Sequence, residues 1–252
     1  MEKISVLLAG ESWVSSSTHF KGWDFFSSTV YETGVNSLEE VLTGAGIDFN
    51  HMPAHLAAVQ FPTNLDDLNQ FDVVILSDLG ANTLLLHPDT WLHGKSIPNR
   101  LKLIREWVRA GGGLIMCGGY YSFSGIYGQA KYYHTPVEEA LPVNIHTYDD
   151  RIEAPEGAIP EIVEPDHPIL RGIPSDWPYL LGFNELMLKD NAQLLAKIED
   201  YPLLAVWKYG AGKSMIWASD IGPHWCPVPF TTWKGYGRLW LQSLHWLTDK
   251  SS

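Results

Sequence analysis

Four short apolar runs punctuate the first half of the chain. Lys3 to Ala9 (KISVLLA) closes on Gly10, the pattern of a strand covered on both faces of a parallel sheet. Ile47 to Met52 and Phe71 to Ser77 (FDVVILS) repeat it, and Leu114 to Cys117 (LIMC) runs into Gly118 and Gly119. The period between them changes to that of a helix. In Gly34 to Gly46, Leu38, Val41 and Leu42 fall at helical spacing, Ser37 and Glu40 form a predicted capping box, and Gly46 ends the segment. Arg100 to Ala110 (RLKLIREWVRA) puts Leu101, Ile104 and Val108 on one face and is stopped by Gly111 to Gly113. Strand, helix, strand, helix, strand predicts parallel neighbours joined by right-handed crossovers. The expected fold is therefore α/β, a doubly wound, mostly parallel sheet with helices on both faces.

The second half changes character. Helical periodicity disappears from Pro136 to Pro178, where Val143 to Tyr148 and Ala158 to Val163 read as short strands of an inserted or edge β region. Leu203 to Trp207 and Ser214 to Ala218 flank Gly210-Ala211-Gly212-Lys213 and predict a hairpin. Tyr236 to Thr248 interleaves Leu239, Leu244 and Leu247 with Trp240 and Trp246, an amphipathic terminal helix. With no repeat or linker in sight, residues 1–252 are expected to form a single domain.

Composition narrows the function classes. Hydrophobic residues at 45% and charged residues at 18% describe a chain that folds by burying a core. Seventeen basic against 29 acidic side chains give a net charge of −12, a field that opposes phosphate backbones and anionic lipid. Neither nucleic acid nor membrane is an expected partner. No run of about 18 apolar residues occurs, and Met1 to Gly10 lack a secretory signal, so a cytoplasmic location is expected. Cys117 and Cys226 are accordingly expected as free thiols. The ten histidines lack zinc-site spacing, and Gly210 to Ser214 lacks the first P-loop glycine, so no metal or cofactor is expected. Eleven tryptophans, crowded into the second half, suit a core, a pocket wall or a homo-oligomer interface.

Ligands of open parallel sheets bind where the strands end. That rule selects Gly10 to Trp23, Ser77 to Thr83, Cys117 to Phe123 and Ser219 to Trp225. Cys117 at a strand-to-helix turn would meet backbone N–H groups that favour thiolate. Binding candidates are Glu11, Ser12, His19 and Lys21 after the first strand, Gly118, Gly119 and Tyr120 after the fourth, and Glu185 in GFNEL. Glu11 suits a sugar hydroxyl or amine, Lys21 a carboxylate, and tyrosines at 120 and 121 a flat ring.

Three segments, GGGLIMCGGYYSFSG at 111–125, HFKGWDFFSSTVYETG at 19–34 and SDIGPHWCPVPF at 219–230, resemble the glutamine amidotransferase-like family. The resemblance spans most of the chain and implies the class I glutamine amidotransferase-like, flavodoxin-like fold shared with trehalose-utilisation-type proteins. In the glutaminases of that superfamily a cysteine occupies a Gly-x-Cys-x-Gly elbow and a later His-x-Glu pair completes a triad. Here Ile115 stands where the first glycine would be. Two registers follow: Cys117 is the nucleophile, or Gly118 takes that position and Cys117 is the last strand residue, facing the core. His224 is followed by Trp225 and Cys226, without the glutamate, and Asp220 is the residue that could orient it. The leading expectation is an amidotransferase-like protein, without full glutaminase activity, that binds a small polar metabolite. Its rivals are a cysteine hydrolase using Cys117, His224 and Asp220, and a structural homo-oligomer subunit.

Overall fold

The computed structural model describes residues 3–250. In chain order the strands are β1 (Ser5–Gly10), β2 (Ser12–Lys21), β3 (Asp24–Thr33), β4 (Asp48–Met52), β5 (Val73–Ser77), β6 (Gly113–Cys117) and β7 (Val143–Asn144). They continue with β8 (Arg151–Ala158), β9 (Pro160–Ile162), β10 (Leu180–Asn184), β11 (Met187–Leu188), β12 (Gln193–Ile198), β13 (Tyr201–Tyr209) and β14 (Gly212–Trp217).

The apolar runs pair with one another because a strand with no polar face must be covered on both sides. They build an eight-stranded sheet of order β4-β1-β5-β6-β14-β13-β12-β9. The first five of these are parallel, and β13, β12 and β9 continue the sheet antiparallel. Gly10 stands opposite Ser77, Leu76 opposite Met116, and Cys117 opposite Trp217, so four strands end along one rim. This is the α/β architecture that the alternation of periods predicts.

Two helix groups clothe the sheet. Asn36–Gly44 packs on Tyr236–Thr248, while Arg100–Ala110 packs on Ala81–Leu85, Leu65–Leu68 and Pro136–Ala140. Arg100–Ala110 and Tyr236–Thr248 have the bounds the sequence predicts. Asn99 starts the former, its side chain accepting from the amides of Leu101 and Lys102 at 3.0 and 3.1 Å. Arg100 is wholly buried, and its guanidinium donates to the carbonyls of Leu84, Ala57, Ala58 and Thr83 at 2.6–3.1 Å. It thereby ties three helices together.

Some expectations are corrected. Ser37 caps nothing: the residue before the helix is Val35, buried at 2% exposure and without a side-chain cap bond. Burial of Val35 and Leu38 in the core decides where the chain turns, and Ser37 falls inside the first turn. The stretch after β1 is not a rim loop but a ribbon, β2 paired with β3 over ten residue pairs. Of the edge region, Pro136–Ala140 is a helix, Val143–Asn144 is all that remains of the first predicted strand, and the longer β8 had no clear alternation. The hairpin of β13 and β14 forms as expected.

The tryptophans of the second half mostly face inward. Trp217, Trp225 and Trp240 are fully buried, and Trp177 joins Trp217, Trp233 and Phe230 at ring separations of 5.4–6.2 Å. They fill the core under the last helix, where large rigid side chains bury much area at little entropic cost.

Candidate functional site

The chain leaves the sheet rim abruptly at two points. Glu11 follows β1 with φ 47°, and Asp78 follows β5 with φ 45°. Left-handed backbone is costly for residues with a Cβ, and such conformations cluster where a side chain must be aimed at a ligand. Gly34 leaves room for Glu11 to fold back: a Cβ there would lie 2.3 Å from its carboxylate. Gly119, after β6, does the same for two more groups, since a Cβ on it would meet carboxylate oxygens of Asp78 and Asp220, each at 3.0 Å. Three acidic side chains from the ends of β1, β5 and β14 thus approach one spot.

Around them lies a cavity of about 390 Å³ walled by Trp13, Tyr120, Tyr121, Pro223 and His224. Its size and its mixture of aromatic walls with few polar groups are those of a small-molecule site. The Tyr120 ring meets His224 edge-on at 5.0 Å and Trp225 at 5.6 Å.

Burial governs the proton state. Glu11, 4% exposed and close to Asp220 and Asp78, is pushed up to about 8, against the opposing effect of a Ser77 hydroxyl that donates to it at 2.5 Å. Asp78 rises to about 6, mainly by burial, while its carboxylate accepts the Tyr121 amide at 2.7 Å. Asp220 is raised as well, chiefly by burial, although His224 and the Trp225 amide at 2.9 Å favour its anion. His224 Nδ1 lies 3.6 Å from the Asp220 carboxylate, whose proximity raises the imidazole. The pocket therefore holds more protons at neutral pH than free side chains would.

Beneath the pocket floor is a buried polar bracket. Asn184 accepts the Gly119 amide at 3.0 Å and donates to Asp150 at 2.9 Å, and Asp150 accepts the amides of Ser124 and Gly125. It fixes the loop after β6, the element that carries Tyr120 and Tyr121.

The candidates named from the sequence divide clearly. Residues 117–119 and 219–224 do share one rim, with the Gly118 amide donating to the carbonyl of Ser219 at 2.9 Å. Glu11, Tyr120, Asp220 and His224 line the cavity. Cys117 is the last residue of β6, fully buried, with burial and then Glu11 pushing its thiol well above the ordinary range. Gly118 could carry no side chain, because a Cβ would lie 2.6 Å from the Ala218 backbone. The amides of Gly118 and Gly119 are both spent on protein acceptors. Ser12 Oγ accepts the Ala54 amide at 2.8 Å and starts a helix. His19 and Lys21 are far out on β2, away from the cavity, because the stretch is ribbon and not loop. Glu185 sits in a separate cluster with His146 and Tyr148.

Asp78 and Trp13 are wall residues that sequence reasoning passed over. For Asp78 the signal was present: an acid directly after the most apolar strand, before Leu79 and Gly80.

The sequence profile of the family described as "Putative glutamine amidotransferase" matches residues 5–249. The chain belongs to this glutamine amidotransferase-like family. Among solved structures, a cytoplasmic protein from Salmonella typhimurium is 43% identical, with 96% of this chain and 98% of that one covered and a TM-score of 0.93. A second cytoplasmic protein, from Salmonella typhimurium LT2, is 40% identical over 97% and 99% of the two chains, also at 0.93. A ThuA-like protein from Bacteroides uniformis shares the fold at TM-score 0.58 and 10% identity, over 99% and 93%. No curated protein matches. In this amidotransferase-like chain the side chains gathered at the rim include three carboxyl groups, Glu11, Asp78 and Asp220. Among the described residues no three His, Cys, Asp or Glu groups are disposed to hold a metal ion.

Proposed function

We propose that this glutamine amidotransferase-like protein is cytoplasmic and binds a small, uncharged, hydroxyl-rich metabolite of the sugar or polyol class, without glutaminase chemistry. The observation that carries the reading is the convergence of Glu11, Asp78 and Asp220 on an aromatic-walled cavity. Carboxyl groups that share protons can donate to and accept from ligand hydroxyls, and aromatic faces suit the C–H faces of a sugar ring. An anionic ligand would face the same three carboxyl groups, with His224, itself paired with Asp220, as the wall residue able to carry positive charge.

Amide hydrolysis by Cys117 has three features against it. A nucleophile must be thiolate and reachable, and this thiol is buried with its proton held. Its proton acceptor would be His224, an exposed residue of the cavity wall 3.6 Å from Asp220, whereas Cys117 is not among the wall residues. The oxyanion would need N–H donors aimed at it, and those of Gly118 and Gly119 point elsewhere.

Calorimetric titration with a panel of neutral sugars and polyols, beside glutamine, tests the reading. Asp220→Asn and Tyr120→Ala are each expected to weaken the best ligand by roughly 10-fold or more, the worth of one buried hydrogen bond or ring contact. Cys117→Ala should leave binding unchanged. Hydrolysis of glutamine that vanishes in Cys117→Ala would overturn it.

A further inference from the structure

The β2–β3 ribbon is a two-stranded sheet of its own, and beyond Ser12 none of its residues is buried. A lone ribbon of this kind is at best marginally stable in water. Its side chains are also the wrong ones for solvent: Phe20 is 76% exposed, Phe25 69%, and Trp23 at the turn wholly exposed. Solitary exposed apolar residues need no explanation, but a contiguous set on one element marks an interface.

The pairing register shows what kind of partner would fit. Alternate residues and their cross-strand partners share a face. One face therefore carries Val14 and Tyr31 near the base, Ser16, Thr29, Thr18 and Ser27 across the middle, and Phe20 and Phe25 at the tip. Hydroxyl contacts at 3.3 and 3.1 Å zip the middle pairs together, so the waist is flat and narrow. Apolar, small, apolar is a pattern that reads alike from both ends. Turned about a two-fold axis through the waist, the tip of one ribbon meets the base of another and the small residues permit close approach. That is the self-complementarity an isologous contact requires.

We propose that this face docks antiparallel on the same face of a second copy of the chain. The consequence for the site follows from where the ribbon is rooted. Trp13 at its base is a wall of the cavity, one residue from Ser12 and two from Glu11. The partner's tip, with Trp23 at its turn, then meets this base at Val14 and Tyr31, next in the chain to Trp13. Charge supports the choice of face, since it carries no charged residue, whereas the opposite face holds Glu32, Lys21 and Asp24. The inference does not depend on what the pocket binds.

Sedimentation velocity on the full chain is expected to give twice the chain mass of 28.3 kDa. Phe20→Ser combined with Phe25→Ser should weaken association roughly 100-fold, since it removes the aromatic anchors at both ends of the two-fold contact, while circular dichroism and thermal unfolding show the body folded. Thr18→Cys, on the docking face, should cross-link copies under mild oxidation; Ser17→Cys, on the opposite face, should not. Cys117 and Cys226 are buried and give no background. A monomer at every concentration, a dimer undiminished in the double variant, or equal cross-linking from Ser17→Cys would overturn the proposal. So would a monomeric chain whose ribbon captures an extended peptide or a lipid vesicle.

Discussion

Single side chains in this molecule owe their chemistry to where the strands release them. Glu11 is an ordinary acid in sequence, yet burial beside Asp220 and Asp78 lifts it to about 8 from an ordinary value of 4.5. The sign of the stability effect follows. Between those two values the folded chain keeps a proton that the unfolded chain releases, so Glu11 favours folding most at low pH, and that contribution is lost as pH rises towards 8. Asp78 acts in the same direction over the lower window from 3.8 to about 6. Glu11→Gln is thus expected to flatten the fall of the thermal midpoint between pH 6 and 8, while a slope below 6 persists. Midpoints measured across pH 5 to 9 for both proteins check it; an unchanged slope above pH 6 would contradict the burial of a protonated Glu11. None of this was legible in the sequence. Glu11 could be named as a rim residue and Asp78 stood in view at the end of its strand, but the two are 67 positions apart and nothing in the sequence showed that they meet.

At the scale of elements, legibility followed the period of the apolar pattern. The runs at β1, β5 and β6 are buried on both faces, and the helices Arg100–Ala110 and Tyr236–Thr248 are buried on one, so each wrote its period into the chain. The β2–β3 ribbon is exposed on both faces; with no core to select an alternation, it read as an aromatic loop. The register at Cys117 was illegible for a different reason. Two alignments one residue apart differ only in which face the thiol takes, and the choice is made by the close approach of Gly118 to the Ala218 backbone. Helix starts were equally a matter of tertiary packing, with Ser37 idle and Asn99 active. Asn99→Ala frees the amides of Leu101 and Lys102 at the head of the helix that carries buried Arg100. The expected cost is about 1 kcal/mol, or a thermal midpoint lower by roughly 2–4 °C for a chain of this size. Ser37→Ala, which removes no cap bond, should leave the midpoint within about 1 °C by the same relation.

The molecule as a whole carries a net charge of −12, and the aromatic-walled acidic cavity at the rim sits inside that field. The sign of the total was plain from composition, whereas the sign of the pocket was not, because its acids come from three strand ends far apart in the chain. The two act together on any ligand that arrives. Distant charges are screened beyond about 8 Å at physiological salt but reach roughly 30 Å at 0.01 M; the acids lining the cavity act at contact range under either condition. A neutral sugar feels neither field strongly, and its phosphate ester feels both. The ester is therefore expected to bind about 10-fold or more weaker than the neutral parent at 0.01 M salt, a gap worth about 1.4 kcal/mol. Raising salt to 0.15 M should narrow the gap without closing it, since salt removes the long-range part and leaves the contact part. Paired calorimetric titrations at the two salt concentrations measure both effects. A phosphate ester that binds more tightly than its parent at either concentration would mean that a cation, and not the carboxylates, dominates the ligand's position.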